Sequence, residues 1–328
     1  MENFVMKNKY LLGVLNLVFL LGGIQSCFLA DQAEKSDKPG GEDVQEAISW
    51  LNNRPNEDVK KDPKVREFFA NHKVYISLTS SPKRLAKIIY VLNTLDLSLV
   101  EKVLVSIPYQ FGRDGSKYEI PDAIENHEKI EIIRIEKDLG PITKLVPAVE
   151  FLKDLGEEES LVITVDDDIG YPIGMVGQIA KFFAYSSRTV FASSTRPISS
   201  WNLDGRKWPD QDETVVEGFG GIGYWVQDVD TEQMKSIAAR QEEEGLGRSC
   251  FLSDDIVISF VLAGSKVRRQ QIKNKYYHPN QILPFYYGLE EDALHRGAGS
   301  VENKIYEHDI NEEKYRKCYH YLTKKYSS

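Results

Sequence analysis

The sequence predicts an α/β protein with a mainly parallel sheet flanked by helices. Two observations carry this. Short apolar, β-branched runs alternate with segments of helical period, which is the pattern of repeated strand–helix–strand units. One of the runs, Leu161 to Val165, opens directly onto Asp166, Asp167 and Asp168, and Gly170 and Pro172 turn the chain behind them. A strand whose residues are all apolar or β-branched is buried on both faces. Open sheets of this class present their chemistry at the carboxyl ends of such strands.

The elements follow in order. Val74 to Leu78 reads as the first strand. Ser81 is placed to cap a helix with Pro82 at its first position, and Leu85, Ile88, Ile89 and Leu92 repeat at helical spacing. Lys102 to Pro108 and Ile130 to Ile135 are the second and third strands. The loop Asp138 to Lys144 leads into a helix with Leu145, Ala148, Val149 and Leu152 on one face. The fourth strand delivers the three aspartates. Beyond it, Ile173 to Tyr185 reads as helix and Thr189 to Ser194 as strand. Pro197 to Thr214, with Trp201 and Trp208, is a long loop of the kind that forms lids or acceptor walls. Thr231 to Glu244 is a polar helix, and Ser253 caps an almost wholly apolar one through Leu262. Asn311 to Tyr326 is amphipathic, with Tyr315, Cys318, Tyr319 and Leu322 on its apolar face.

Before the first strand the chain has a different character. Lys7 and Lys9 precede an apolar run, and Gln25-Ser26-Cys27 follows it. Two readings of residues 1–30 compete: a lipoprotein signal with Cys27 as the lipidated residue, or a membrane span continuing to Ala30. Both place the rest of the chain on the non-cytoplasmic side of a membrane, as a bacterial envelope lipoprotein or a Golgi-type lumenal protein. Residues 31–71, rich in Lys, Glu, Asp, Pro and Gly at their start, read as a flexible stem. Residues 72–328 are left as a single catalytic domain. Its acidic balance, with a net charge of −9 for the whole chain, argues against nucleic acid as a partner. Three cysteines are too few for a disulfide framework, and whether Cys250 pairs with Cys318 stays open.

The chemistry-bearing motifs are acidic. Three adjacent carboxylates repel one another, so Asp166, Asp167 and Asp168 favour a bound cation. Such ligands suit Mg²⁺ or Mn²⁺, above all when a phosphate completes the shell. Gly218-Phe-Gly-Gly-Ile-Gly223 spells G-x-G-x-x-G but runs into the strand-like Tyr224-Trp-Val-Gln. It is therefore not a dinucleotide fingerprint, which must open a helix. It reads instead as backbone that passes close to a ligand or another segment, with Glu217 as a polar contact. Asp254 and Asp255 stand in a first helical turn, where acids complement the helix dipole; at the rim of a buried helix, one can also act as a general base. His278 and His295 are candidates for one further metal ligand.

Taken together, these segments resemble the glycosyltransferases of the GT-A fold. Asp166-Asp-Asp168 is similar to their DXD motif, and Val74 to Arg84 to their nucleotide-binding first strand and loop. Asp138 to Lys144 resembles the donor-binding segment, and Glu217 to Gly221 with Ser253-Asp-Asp255 the acceptor loop and catalytic acid. The resemblance implies a nucleotide-sugar donor, UDP- or GDP-linked, and a glycan or other hydroxyl acceptor. Asp168 and Asp166 would hold Mn²⁺ or Mg²⁺, with His278 or His295 as an additional ligand. Asp166 and Asp167 would contact the donor, Arg84 and Lys144 would face the nucleotide, and Asp254 or Asp255 would deprotonate the acceptor. A haloacid-dehalogenase-like phosphatase also places D-x-D after an apolar strand, with Asp166 as nucleophile. That motif normally opens the domain, whereas here three strands precede it. A catalytically inactive, metal-dependent carbohydrate-binding module is the third reading.

Overall fold

The computed structural model describes residues 61–186, 188–239, 249–272, 283–284 and 307–326. The N-terminal anchor and Cys27, most of the stem, and both His278 and His295 lie outside them. Among the described residues no helix is long and apolar enough to cross a membrane.

The fold begins earlier than the boundary expected at residue 71. Asp62 caps helix α1 (Pro63–Asn71), its carboxylate accepting from the N–H groups of Lys64 and Val65, with Pro63 at the first position. The helix buries Val65 and Phe68, and the Phe68 ring lies 5.7 Å from that of Trp225. An apolar stripe on an otherwise charged segment is what draws these residues into the core.

Seven strands form one sheet in the order β3-β2-β1-β4-β7-β6-β8: β1 (Val74–Leu78), β2 (Lys102–Pro108), β3 (Ile130–Ile135), β4 (Leu161–Thr164), β6 (Thr189–Pro197), β7 (Thr214–Trp225) and β8 (Arg268–Gln271). β3, β2, β1 and β4 are mutually parallel, as are β6 and β8; β7 runs antiparallel to β4 and β6. The result is a mostly parallel, mixed α/β sheet. β1 and β4 are buried at every residue, as their mainly apolar, β-branched sequences predict. A two-stranded ribbon, β5 (Ile169–Gly170) with β9 (Leu283–Pro284), stands apart.

Helices cover both faces. On one, α4 (Val146–Asp154), α6 (Thr231–Ala239), α7 (Asp254–Gly264) and α8 (Glu307–Tyr326) share one core with Val162, Ile222 and Tyr224. On the other, Ile179 and Phe183 of α5 (Met175–Tyr185) lie against Gly223, which points opposite to its neighbours Ile222 and Tyr224. The helix expected from Leu85 onward is shorter than its spacing suggests. A 3₁₀ turn (Leu85–Lys87) runs into a five-residue α2 (Ile88–Leu92), where three β-branched residues give little helical support. The last short helix, α3 (Asp122–Glu125), precedes β3.

The long loop before β7 packs onto the core. Trp201, Leu203 and Trp208 are buried in it. Arg269 of β8, itself buried, holds it by a two-pronged pair to Asp210 at 2.8 and 2.9 Å and by donating to the Thr214 carbonyl. Trp208 stacks on Tyr319 of α8 at 6.2 Å.

Cys250 and Cys318 form a disulfide across a separation of 68 residues, tying α8 to the segment just ahead of α7. Closing so long a loop constrains the unfolded chain. Cys318→Ser is therefore expected to lower unfolding free energy by about 2–5 kcal/mol, read as a reduced urea midpoint; an unchanged midpoint would mean the bond contributes nothing.

Candidate functional site

The sheet reverses its winding between β1 and β4: the chain steps outward to β2 and β3, then returns to the far side of β1. At such a switch point the loops leaving adjacent strands diverge and open a crevice at their carboxyl ends. The loop after β1 carries Ser80 and Arg84; the turn after β4 carries Asp166, Asp167 and Asp168. The two meet. Arg84, 3% exposed, is ion-paired through Nη2 with Asp167 and, at 3.0 Å, with Asp168 Oδ2. Ser80 Oγ donates to Asp167 Oδ2 at 2.6 Å. Asp167 is thus turned inward as the anchor of the turn, not outward toward a donor as its place in the motif suggested. Asp166 and Asp168 remain partly exposed.

The loop from Asp138 to Lys144 supplies the second cation. Ser77 of β1 donates to the Lys144 carbonyl at 2.5 Å, fixing the residue beside the strand. Lys144 Nζ lies 2.8 Å from Asp166 Oδ1 and 3.2 Å from Asp254 Oδ2. Burial alone would depress this ammonium, but the charges of Asp166, Asp254 and Asp255 outweigh it and hold the pKa well above the ordinary lysine value.

Asp254 and Asp255 separate as neighbours in a helix must, their side chains about 100° apart. Asp254 takes the Lys144 ion pair, although its buried Oδ2 has no well-directed hydrogen bond. Asp255 accepts from the Gly218 N–H at 2.9 Å. Burial first, and then the charge of Asp254, push its carboxyl well above the usual carboxylate range, against the pull of Lys144 and the Gly218 N–H. Ser253 occupies the cap position of α7 without capping it: its hydroxyl donates to the Ser249 carbonyl at 2.6 Å. Gly218 allows a close approach, since a Cβ there would stand 2.8 Å from Lys144 Nζ and 3.3 Å from Asp255 Oδ1 and would displace one of them. Glu217 sits nearby, paired with Arg196 at 2.9 Å and hydrogen-bonded by Ser194.

Three residues of this site escaped the sequence reading. Ser80 lay in a loop whose only visible feature was the Ser81-Pro82 start signal. Tyr171, fully buried, accepts from the Asp166 N–H at 2.8 Å and donates to the Phe219 carbonyl at 3.1 Å, so one hydroxyl joins the aspartate turn to the glycine-rich strand. Tyr315 of α8 packs its ring 5.3 Å from Trp201. Burial, and then the charges of Asp255, Asp254 and Glu217, raise its hydroxyl pKa, which keeps it protonated. Its apolar helical spacing concealed this placement.

Among the described residues no trio of acid, histidine or cysteine side chains is arrayed for a metal ion. The donor chemistry fits one nonetheless. Asp166 and Asp168 each commit one oxygen to the described ion pairs, and a hard cation needs only one or two carboxylates when phosphate and water complete its shell. Around the site six carboxylates (Asp166, Asp167, Asp168, Glu217, Asp254 and Asp255) meet three described cationic side chains, Arg84, Lys144 and Arg196. A cation entering with an anionic ligand would lower the electrostatic cost of placing that ligand here. Buried Arg84 Nε also lacks a hydrogen-bond partner.

No protein-family model matches the chain, and no curated protein is significantly similar to it.

Proposed function

We propose that this chain is a metal-dependent glycosyltransferase of the GT-A type, moving a sugar from a nucleoside-diphosphate donor to a hydroxyl acceptor. The observation that carries the reading is the convergence at one switch point of four segments far apart in sequence: the loop after β1, the Lys144 loop, the aspartate turn, and the Gly218–Asp255 pair. Parallel strands in the order 3-2-1-4 also match the first four strands of the doubly wound nucleotide-binding order.

In this reading Asp166 and Asp168 would hold Mn²⁺ or Mg²⁺, which would neutralise the diphosphate leaving group. Arg84 and Lys144 orient the two carboxylates through the ion pairs described. Asp255 is the general base. The acceptor hydroxyl gives its proton to the Asp255 carboxylate as its oxygen bonds to the anomeric carbon; the bond from that carbon to the phosphate oxygen breaks, and its electron pair leaves with the nucleoside diphosphate. A single displacement of this kind inverts the anomeric centre. Tyr171 keeps the aspartate turn and the Gly218 strand in fixed relation through the reaction. The Cys250–Cys318 disulfide agrees with the non-cytoplasmic placement proposed for the domain, since such bonds persist in oxidising compartments.

The pH dependence follows from Asp255. Only its ionised form accepts a proton, so the acid limb of kcat/KM should fall above the ordinary carboxylate range and activity should be lost as pH drops through it. Asp254→Asn removes an upward push and should move that limb to lower pH. Stability runs the other way. With its folded pKa raised, the native protein binds more protons than the unfolded chain between the two values, so Asp255's contribution weakens as pH rises through that window. An acid limb in the ordinary carboxylate range, unmoved by Asp254→Asn, would contradict the assignment. The direct test of activity is a screen of UDP- and GDP-sugars, with and without Mn²⁺; no consumption of any donor would count against the reading.

A further inference from the structure

The acid pair has a neighbour that the reaction above does not use. Tyr315 belongs to α8, which supplies none of the segments that carry the resemblance. Two contacts fix where it stands. Cys318, one turn further along the same face of α8, is bonded to Cys250. The Ser253 N–H donates back to the Cys250 carbonyl at 3.1 Å, and that turn leads directly into Asp254 and Asp255. The Tyr315 ring itself lies 5.3 Å from that of Trp201, in the 3₁₀ turn that follows β6. β6 is the strand whose Ser194 and Arg196 hold Glu217. Tyr315 is thus tied on one hand to the start of α7 and on the other to the strand beside Glu217.

Its hydroxyl faces the site's acids. The side chain packs against the core, and after burial the charges it feels are those of Asp255, Asp254 and Glu217, with Lys144 opposing them. Held protonated, the phenol is a hydrogen-bond donor and not a base. Yet it makes no hydrogen bond among the described residues. Asp255 meets the Gly218 N–H through Oδ1. A phenol that can donate and a carboxylate that can accept face one another unbonded. The group that fits between them accepts from the first and donates to the second, and a hydroxyl does both.

We propose that Tyr315 is a catalytic residue of the transfer: its hydroxyl donates to the attacking oxygen of the acceptor and holds that oxygen against Asp255. The inference rests on the transferase reading and adds the group that orients its second substrate. The phenol keeps its proton throughout. One lone pair of the acceptor oxygen takes the Tyr315 hydrogen bond, the other forms the bond to the anomeric carbon, and the acceptor's own proton passes to Asp255.

The test follows consumption of UDP- and GDP-sugars in Mn²⁺, with water and added glycerol as the accepting hydroxyls. With the donor that the native protein consumes, Tyr315→Phe should lower kcat about tenfold, the loss of one hydrogen bond. The donor's KM, the affinity for UDP or GDP and the melting temperature should stay unchanged. In an Asp255→Asn background the same substitution should cost less than about twofold, because the oxygen it positions no longer has a base beside it. A tyrosine that only packs would act equally in both backgrounds. The proposal is overturned if kcat is unchanged in Tyr315→Phe, if the loss appears in the donor's KM instead, or if it is equal in the two backgrounds. No consumption of any donor by the native protein would overturn the transferase reading itself, and the proposal with it.

Discussion

Asp255→Asn is expected to reduce sugar transfer by at least about a hundredfold, the scale of a lost general base, while UDP or GDP affinity stays unchanged. The expectation depends on how the acid pair divides. Asp254 is committed to Lys144 at 3.2 Å, whereas Asp255 makes its described hydrogen bond to a backbone N–H, at Gly218. An amide at position 255 keeps the shape and can still accept from Gly218, so the fold should survive and the proton acceptor alone should be lost. Asp254→Asn should behave differently. It deprives a buried ammonium of one charged partner, and its cost should fall on stability, roughly 1–3 kcal/mol for a buried polar group left less well satisfied. Transfer rates, nucleotide titrations and urea melts of both variants separate the roles. Near-normal transfer by Asp255→Asn would reduce the pair to a helix-terminal feature and direct the search for a base to Glu217.

Arg84→Met should be the most destabilising single change at the site, costing about 3–5 kcal/mol, the usual loss when one partner of a buried ion pair is removed. Arg84 and Asp167 are 4% and 8% exposed at their side chains, so the charge left behind cannot simply be hydrated. Ser80 would remain as Asp167's neutral partner, and Asp168 would lose its anchor. The variant should therefore unfold at lower urea and bind nucleotide poorly even where it is folded. Arg84→Met paired with Asp167→Asn should recover part of the stability, because the uncompensated charge is then gone. A single variant as stable as the native protein would show that the Arg84 pair contributes little.

The sheet's first half was legible because its strands are monotonous. Val74 to Leu78, Lys102 to Pro108 and Ile130 to Ile135 are placed residue for residue, since a mainly apolar, β-branched run bounded by turn signals admits few registers. The second half was harder for identifiable reasons. The glycine-rich run gives no side-chain pattern from which to read the antiparallel β7, although its strand-like continuation was enough to exclude a dinucleotide fingerprint. The segment at Pro63 looked like stem because Val65 and Phe68 are its only buried positions. At the site, the acids were found because carboxylates in a row are conspicuous. Their partners Ser80 and Tyr171 were not, because single hydroxyls acquire meaning only when the fold brings them to a charge or a backbone N–H.

The central claim is that a nucleoside diphosphate binds at the aspartate turn together with a divalent cation, and titration calorimetry tests it most directly. UDP and GDP are titrated, with and without Mn²⁺, into the native protein and into Asp168→Asn. The account predicts binding of at least one nucleotide that requires Mn²⁺ and is abolished in Asp168→Asn, with the melting temperature nearly unchanged because Asp167 still holds Arg84. Nucleotide affinity indifferent to both Mn²⁺ and Asp168 would contradict it, and a stable phospho-aspartate at Asp166 would transfer the site to the phosphatase reading.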